Sequence, residues 1–429
     1  MNEPLCVAPF IGLYYKGSSK QIKACCESNE WHMKESNSYR FKGKGSWDEI
    51  WTNEKIQKIR KKLLEGEFPE SCWKCQENES RGIFNARRWY KNILKDWEGY
   101  ENKKLKYDIE KGNNTGEPLW IDFRSSNLCN LKCRMCSPSN STELAKEYVE
   151  NKHHFTGPER NLFNSVDSSD KLLYNKDYYD YLIDQIPVKN LVKAKFLGGE
   201  PTIQKEVFRF LRRLKGKEHI KTAFTSNGTN INKNFKEEIE HLPNVHLQLS
   251  IDGYDKSYEY IRTPGKWSTI QNNLNYLINE LEIKGKLTFA ISIVIQMYNI
   301  FDITNIMEFV LNTRRSLPRK VKGDPQKFHH NKKMNETFFS PVMQDFLSIE
   351  LLEDEHRELI IKEINDFQKK YNLSDYEKNE ISIPLLRLLR PTTDREKKLR
   401  KFRYYTNKLD MFRSTKLIDL HPNYERYMA

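Results

Sequence analysis

From Leu119 onward, short runs rich in β-branched and aromatic residues alternate with amphipathic stretches, and this alternation constrains the fold more than any other feature of the chain. Strands separated by helices need crossover connections, so the pattern implies βα units and a parallel sheet or partial barrel. The predicted strands are Trp120 to Arg124, Ala194 to Leu197, Thr222 to Thr225, Val245 to Ile251 and Thr288 to Ile295, with a sixth at Phe338 to Val342. Between them, Val207, Phe210, Leu211 and Leu214 recur at helical spacing, as do Ile270, Leu274, Leu277, Ile278 and Leu281. These stripes are expected to face the core. The fold class is therefore α/β, a partial (β/α)6 barrel over residues 119–345.

A cysteine-rich section, residues 1–98, precedes the barrel. It opens with a strand-like stretch, Phe10 to Tyr15, and a turn at Lys16-Gly17-Ser18-Ser19. Ser46 and Glu49 have capping-box spacing for a helix whose inner face is Ile56, Ile59 and Leu63 and whose stop is Gly66. A second turn, EFPESCWKC, leads to a basic aromatic helix around Ala86 to Asp96. Residues 99–118, ending in KGNNTGEP, form the linker. Polar segments at 151–177 and 313–335 are expected to be loops or insertions. Residues 346–429 are a basic helical extension that includes LLRLLR and REKKLRKFR.

Lys and Arg exceed Asp and Glu by 13 among 429 residues. Such a balance suits an acidic partner, although charge runs usually form solvated helix faces, so nucleic acid is admitted but not favoured. An acidic peptide would exploit the same field. No apolar run approaches the ~20 residues that span a bilayer. The opening MNEPLCVAPF lacks the basic and apolar segments of a secretory signal, so a cytoplasmic location without a membrane partner is expected. Eight cysteines in such a compartment are not expected to form disulfides, and their grouping suggests metal.

The first barrel strand runs into SSNLCNLKCRMCSPSN, which sets Cys129, Cys133 and Cys136 in a C-x3-C-x2-C array. Three such thiolates can hold three irons of a 4Fe-4S cubane and leave the fourth open. Zinc more often takes paired C-x2-C units with four donors, and no fourth donor lies nearby. A loop after a strand is also where α/β barrels place their chemistry.

This array resembles the signature of the radical S-adenosylmethionine (SAM) superfamily, and later segments agree in order. FLGGEPTI carries Gly198, Gly199, Glu200 and Pro201, resembling the family's motif for the SAM amino group. TSNG, with Ser226 and Asn227, and SIDG, with Ser250 and Asp252, resemble segments that reach the ribose and the methionine moiety. Glycines permit close backbone approach, and the carboxylate and polar groups suit an ammonium or sugar hydroxyls. Arg262 in YIRTPGKW stands where many peptide-modifying members carry an arginine, which suggests a clamp on the SAM carboxylate; a surface salt bridge is the alternative. Gln296 and Asn299 follow the fifth strand as the family often has them. Met135 departs from the aromatic residue common before the third cysteine.

Cys6, Cys25, Cys72 and Cys75, in segments CVAPFIGLYYKG, CC and FPESCWKC, resemble the SPASM or twitch modules of the same superfamily, here placed before the barrel. The resemblance implies a second, auxiliary 4Fe-4S cluster; structural zinc is the alternative. Of the adjacent pair, Cys25 is assigned as ligand and Cys26 as apolar filler. Together these features imply an enzyme that reductively cleaves SAM to a 5'-deoxyadenosyl radical at the catalytic Cys129, Cys133 and Cys136 cluster. A flavodoxin or ferredoxin would donate the electron. The implied substrate is a peptide or protein, with the auxiliary cluster as electron acceptor. RNA is the alternative substrate, and a non-catalytic zinc or iron-sulfur binding module the alternative class.

Overall fold

The computed structural model describes residues 6–16, 21–28, 39–40, 45–80, 85–88, 90, 117–163, 182–242, 244–281, 287–316 and 339–429. The turn residues Gly17 to Ser19, the helix beyond residue 90 and the linker at 99–116 lie outside them. So do the polar segments 164–177 and 317–335 and the strand-start Phe338.

A nine-stranded sheet organises the molecule. Its strands are β1 (Gly12–Lys16), β2 (Gln21–Lys23), β3 (Tyr39–Arg40), β4 (Trp120–Arg124), β5 (Lys193–Phe196), β6 (Lys221–Ser226), β7 (Val245–Ser250), β8 (Leu287–Ile295) and β9 (Phe339–Pro341). Their order is β3-β2-β1-β4-β5-β6-β7-β8-β9. From β4 to β9 every pairing is parallel, as the crossover pattern requires. Each strand expected from the sequence is present with ends shifted by a residue or two.

The sheet does not stop at the barrel. β1 pairs in parallel with β4 from Gly12 opposite Trp120 to Lys16 opposite Arg124, and β2 folds back antiparallel on β1. The sheet is thus continuous from the cysteine-rich section into the barrel. Phe10 and Ile11, expected in a strand, instead end a helical turn, α1 (Ala8–Ile11), which Pro9 starts well because its fixed φ suits the first turn.

The helix expected after Ser46 is two helices. Ser46 and Glu49 form the capping box of α2 (Trp47–Trp51), but Asn53 then accepts from the Ile56 amide and caps a new helix, α3 (Glu54–Leu64). Ile56, Ile59 and Leu63 on α3 are buried as expected. EFPESCWKC is also not a simple turn: Glu70–Cys72 is a 3-10 turn that runs into α4 (Trp73–Ser80), so Cys72 and Cys75 share a helical segment.

Helices α5 (Thr142–Glu150), α6 (Lys205–Arg213), α7 (Lys233–Ile239), α8 (Lys256–Ile261), α9 (Trp267–Tyr276) and α10 (Ile303–Ser316) connect the barrel strands. Val207, Phe210 and Leu211 on α6, and Ile270 and Leu274 on α9, are buried with Phe196, Phe224, Leu247 and Leu249 from the strands. The same core takes in the C-terminal helices α11 (Asp354–Lys370), α12 (Asp375–Leu388) and α13 (Arg395–Arg413), through Ile360, Phe402, Tyr405 and Leu409 among others. A smaller apolar cluster under the N-terminal cysteines contains Phe10, Ile11, Ile59 and Leu63 and reaches Leu119 and Trp120 at the start of β4.

Candidate functional site

The cysteine loop leaves the C-terminal end of β4 and is held by the loops that follow β5, β6 and β7. Its first support is GGEP. The Glu200 amide donates to the Leu128 carbonyl at 2.8 Å, and Gly198 and Gly199 both adopt positive φ, 84° and 59°. A Cβ on Gly199 would run into the Leu128 carbonyl oxygen, and one on Gly198 would sit 2.7 Å from the Arg124 Cβ. The close approaches that need these two glycines are therefore made by the chain itself, Gly198 against the end of β4 and Gly199 against the cysteine loop. Gln204 completes this contact, donating to the carbonyls of Gly198 (2.9 Å) and Leu128 (3.2 Å) and accepting from Ser125.

Glu200 links the second loop to the third. Its Oε1 accepts from the Thr202 amide (3.1 Å), the Thr202 hydroxyl (2.7 Å) and the Ser226 hydroxyl (2.8 Å), and its Oε2 accepts from the Asn227 amide (2.6 Å). Burial raises its pKa, and these donors offset part of the rise. Asn227 then returns to the cysteine loop: its Nδ2 donates to Asn130 Oδ1 at 2.9 Å and stands 4.0 Å from Cys129 Sγ.

From the fourth strand, Asp252 is fully buried. One of its carboxylate oxygens accepts from the Val294 amide (2.7 Å) and the other pairs with Arg262 (2.5 Å). Asn299 donates to the carbonyls of Asp252 (3.0 Å) and Val294 (2.8 Å) and accepts from the Gln296 amide (2.9 Å), so its amide is spent on joining two loops. Ser250 is half-buried at the strand end, opposite Ser292.

Arg262 sits in a buried ion pair, not on the surface, and its Nη1 stands 3.7 Å from Cys133 Sγ. Two backbone bonds bring it there, Lys132 N–H to the Thr263 carbonyl (2.8 Å) and Arg134 N–H to the Ile261 carbonyl (2.9 Å), which bracket Cys133.

Burial pushes the Cys129 thiol well above its ordinary value, and the charges of Cys133 and Glu200 add to it. Cys136 is pushed up to about 12 by burial and by Cys133. Burial also raises Cys133, but the Arg262 guanidinium opposes it. Among the described residues no group of three or more His, Cys, Asp or Glu side chains is set to hold a metal ion as it stands. The fit of a metal group rests on donor chemistry: three thiols, Cys133 buried and Cys129 and Cys136 half-buried, near enough to repel one another as thiolates, with the Leu131 amide 3.5 Å from Cys129 Sγ and Arg262 beside Cys133. A cationic group would supply what these thiolates lack.

The supports that sequence reasoning missed come from the far end of the chain. Arg134, between two of the cysteines, is wholly buried; it donates to the Tyr260 carbonyl (2.9 Å), Asp410 (2.6 Å) and Thr415 (2.8 Å) and lies 3.5 Å over the Tyr260 ring. The Tyr405 hydroxyl donates to the Arg134 carbonyl at 2.6 Å. Glu147, on α5, takes Lys132 of the loop (2.7 Å) and Arg413 of α13 (2.7 Å). No periodicity could flag the pairs made by Tyr405, Asp410, Arg413 and Thr415, because these partners lie more than 250 residues apart.

The N-terminal thiols meet elsewhere. Cys6, Cys25, Cys72 and Cys75 line one cavity with Leu63, Phe68 and Tyr90. Burial raises all four thiols, Cys72 to about 11, while amides of Ala8 and of Ala86 and Arg87 face Cys6 and Cys75 respectively and oppose the rise. Four thiols lining one cavity, Cys75 buried and the others half-buried, with amides facing two of them, suit a cluster or zinc, since hydrogen bonds to sulfur tune both. Cys26 does not line this cavity. Its thiol stands among Asp122, Glu27, Lys195 and Arg124, which is a charged setting and not that of an apolar filler. The cavity adjoins Leu119 and Trp120, whereas Cys129 lies beyond the other end of β4, so a strand of ~13 Å separates the two levels.

This is a parallel partial-barrel protein with a buried cysteine loop at the C-terminal end of its strands. Residues 123–310 match the family described as the radical SAM superfamily. No curated protein matches it. Among solved structures, SuiB of Streptococcus suis bound to S-adenosylmethionine is 18% identical, with 60% of this chain and 50% of that one aligned at a TM-score of 0.31. SuiB bound to the precursor peptide SuiA gives 16%, 72%, 63% and 0.35 in the same order. Archaeal TYW1 gives 21%, 42%, 55% and 0.21. The chain thus spans only about half to three fifths of the length of these proteins. Among the described residues no helix is long and apolar enough to cross a membrane.

Proposed function

We propose that the chain reductively cleaves SAM and uses the resulting radical to modify a peptide or protein. The observation that carries this reading is the single buried network joining the cysteine loop to GGEP, TSNG and Arg262. In it, Cys129, Cys133 and Cys136 hold a 4Fe-4S cluster, and Gly198, Gly199, Glu200, Ser226, Asn227, Ser250, Asp252 and Arg262 shape the SAM site. When bound, that cluster supplies the electron that splits SAM into methionine and a 5'-deoxyadenosyl radical. Glu200 Oε1 is saturated by three donors, whereas Oε2 accepts one, which leaves it room for an ammonium. Asp252 fixes the Arg262 guanidinium beside Cys133.

In the same reading Cys6, Cys25, Cys72 and Cys75 hold an auxiliary 4Fe-4S cluster. Four protein thiolates leave no iron open, so its role is to accept or relay an electron. A flavodoxin or ferredoxin in the cytoplasm would serve as donor. The RNA alternative draws on the basic C-terminal helices, but three of their arginines are turned inward. Arg395, Arg403 and Arg413 bond Leu351, Tyr427 and Glu147, which weakens that motive.

The test is anaerobic reconstitution followed by chemical reduction with SAM present. Release of 5'-deoxyadenosine and about eight irons per chain are expected. Absence of 5'-deoxyadenosine overturns the reading, and about four irons removes the auxiliary cluster alone.

A further inference from the structure

A sheet covered on both faces reads as near-continuous apolar runs, but these strands alternate. β7, VHLQLS, and β5, KAKF, bury each apolar residue and leave each polar one half-buried. The buried set packs under the helices, so the polar set lines the inner face of the barrel. Strand register sorts that face into rows. One row holds Tyr14, Asp122, Lys195, Ala223, His246 and Thr288; the next, toward the cysteine loop, holds Lys16, Arg124, Thr225, Gln248 and Ala290. Trp120 and Lys193 precede them, and Ser250 and Ser292 follow.

The charge on this face is one-sided. Lys16, Arg124, Lys193 and Lys195 stand on three adjacent strands with a single carboxylate, Asp122, which is 3.7 Å from Arg124. Neither Lys193 nor Lys195 is in ion-pair contact with a carboxylate of the described residues, and crowded half-buried cations are costly unless an anion joins them. Burial, then Lys195 and Lys221, pull the Lys193 ammonium down to about 7, and burial with Lys193 and Lys195 holds His246 at about 4. The rest of the face, Thr225, Gln248, Ser250 and Ser292, is neutral and hydrogen-bonding.

We propose that this inner face binds an acidic stretch of the peptide substrate, with Lys193, Lys195 and Arg124 on its carboxylates and Thr225, Gln248 and Ser292 on its main-chain amides. The assignment rests on the peptide-modifying reading and specifies its substrate class. Two observations favour peptide over RNA. The cations occupy a small patch, about 10 Å across three strands and about 13 Å along them, room for two or three anionic groups of a short extended segment. The aromatic rings on the same face are already covered, Trp120 by Lys193 at 4.3 Å and Tyr14 by Arg124 at 5.1 Å, so neither is an open platform for stacking bases.

The experiment measures binding of a fluorescent hexaglutamate peptide to the reconstituted holoenzyme with SAM. Binding should weaken roughly tenfold for each of K193Q and K195Q. It should recover in K195R, survive in the surface control K61Q/K233Q, and be absent for hexaglutamine. It should also weaken as pH rises through about 7, where Lys193 sheds its proton. Equal binding of hexaglutamine, or no loss in K193Q/K195Q with full iron content, overturns the proposal. So does a hexauridylate probe that binds more tightly than the peptide through the same lysines. Wild-type 5'-deoxyadenosine release, measured without peptide, reports separately on the radical SAM reading.

Discussion

The two thiol sets are built in opposite ways. Cys129, Cys133 and Cys136 lie within one short loop, yet their supports come from Glu200, Asn227, Arg262 and, through Arg134, from Asp410 and Thr415. Cys6, Cys25, Cys72 and Cys75 are scattered over the first 75 residues, yet the groups facing their sulfurs, Ala8, Ser71, Ala86 and Arg87, are close neighbours in sequence. The closely spaced thiols therefore lean on a distant scaffold, because a short loop cannot fix itself. The dispersed thiols arrive with their own helices and turns.

The sharpest way to break this comparison is to remove one thiol from each set. Cys133→Ala is expected to abolish 5'-deoxyadenosine release, a loss of at least ~10³-fold, while the N-terminal iron remains. Cys72→Ala should halve the iron yet still release 5'-deoxyadenosine in the absence of substrate, as read by metal analysis and chromatography. Equal loss in both variants would show that the sets are not independent.

Next in size is the distant scaffold. Arg134→Ala leaves the largely buried Asp410 carboxylate with the Thr415 and Leu417 donors but no cation, and breaking such a pair costs about 3–5 kcal/mol. A fall in the urea midpoint with loss of barrel iron, and retention of N-terminal iron, is the expected outcome. Gly199→Ala should cost ~1–3 kcal/mol from the positive φ and the clash with Leu128, with reduced SAM affinity measured by equilibrium binding. The smallest effect is expected at the N-terminal module: Asn53→Ala removes the α3 cap for about 1 kcal/mol and should leave 5'-deoxyadenosine release unchanged.

Much of this architecture was legible in the sequence because its signals are local. Alternation of buried and half-buried residues located the strands, as in VHLQLS, and the spacing of Val207, Phe210 and Leu211 located α6. The capping box at Ser46 was readable for the same reason, whereas Asn53 hid a helix break because the same asparagine could equally have continued a polar face. Gly198 and Gly199 signalled close approaches, but not that the neighbours would be Arg124 and Leu128.

By itself, then, the sequence determined the parallel barrel, the chemical type of each donor and the order of the motifs, since period, capping and ligand spacing are properties of contiguous residues. Tertiary structure alone decided three other things. It joined β1 to β4 and carried the sheet into the cysteine-rich section. It turned the basic C-terminal helix into the brace behind Arg134. It also gathered lysines from separate strands on one inner face. Each depends on contacts between residues far apart in the chain, which arise when apolar faces close on one another and leave no periodic mark in the sequence.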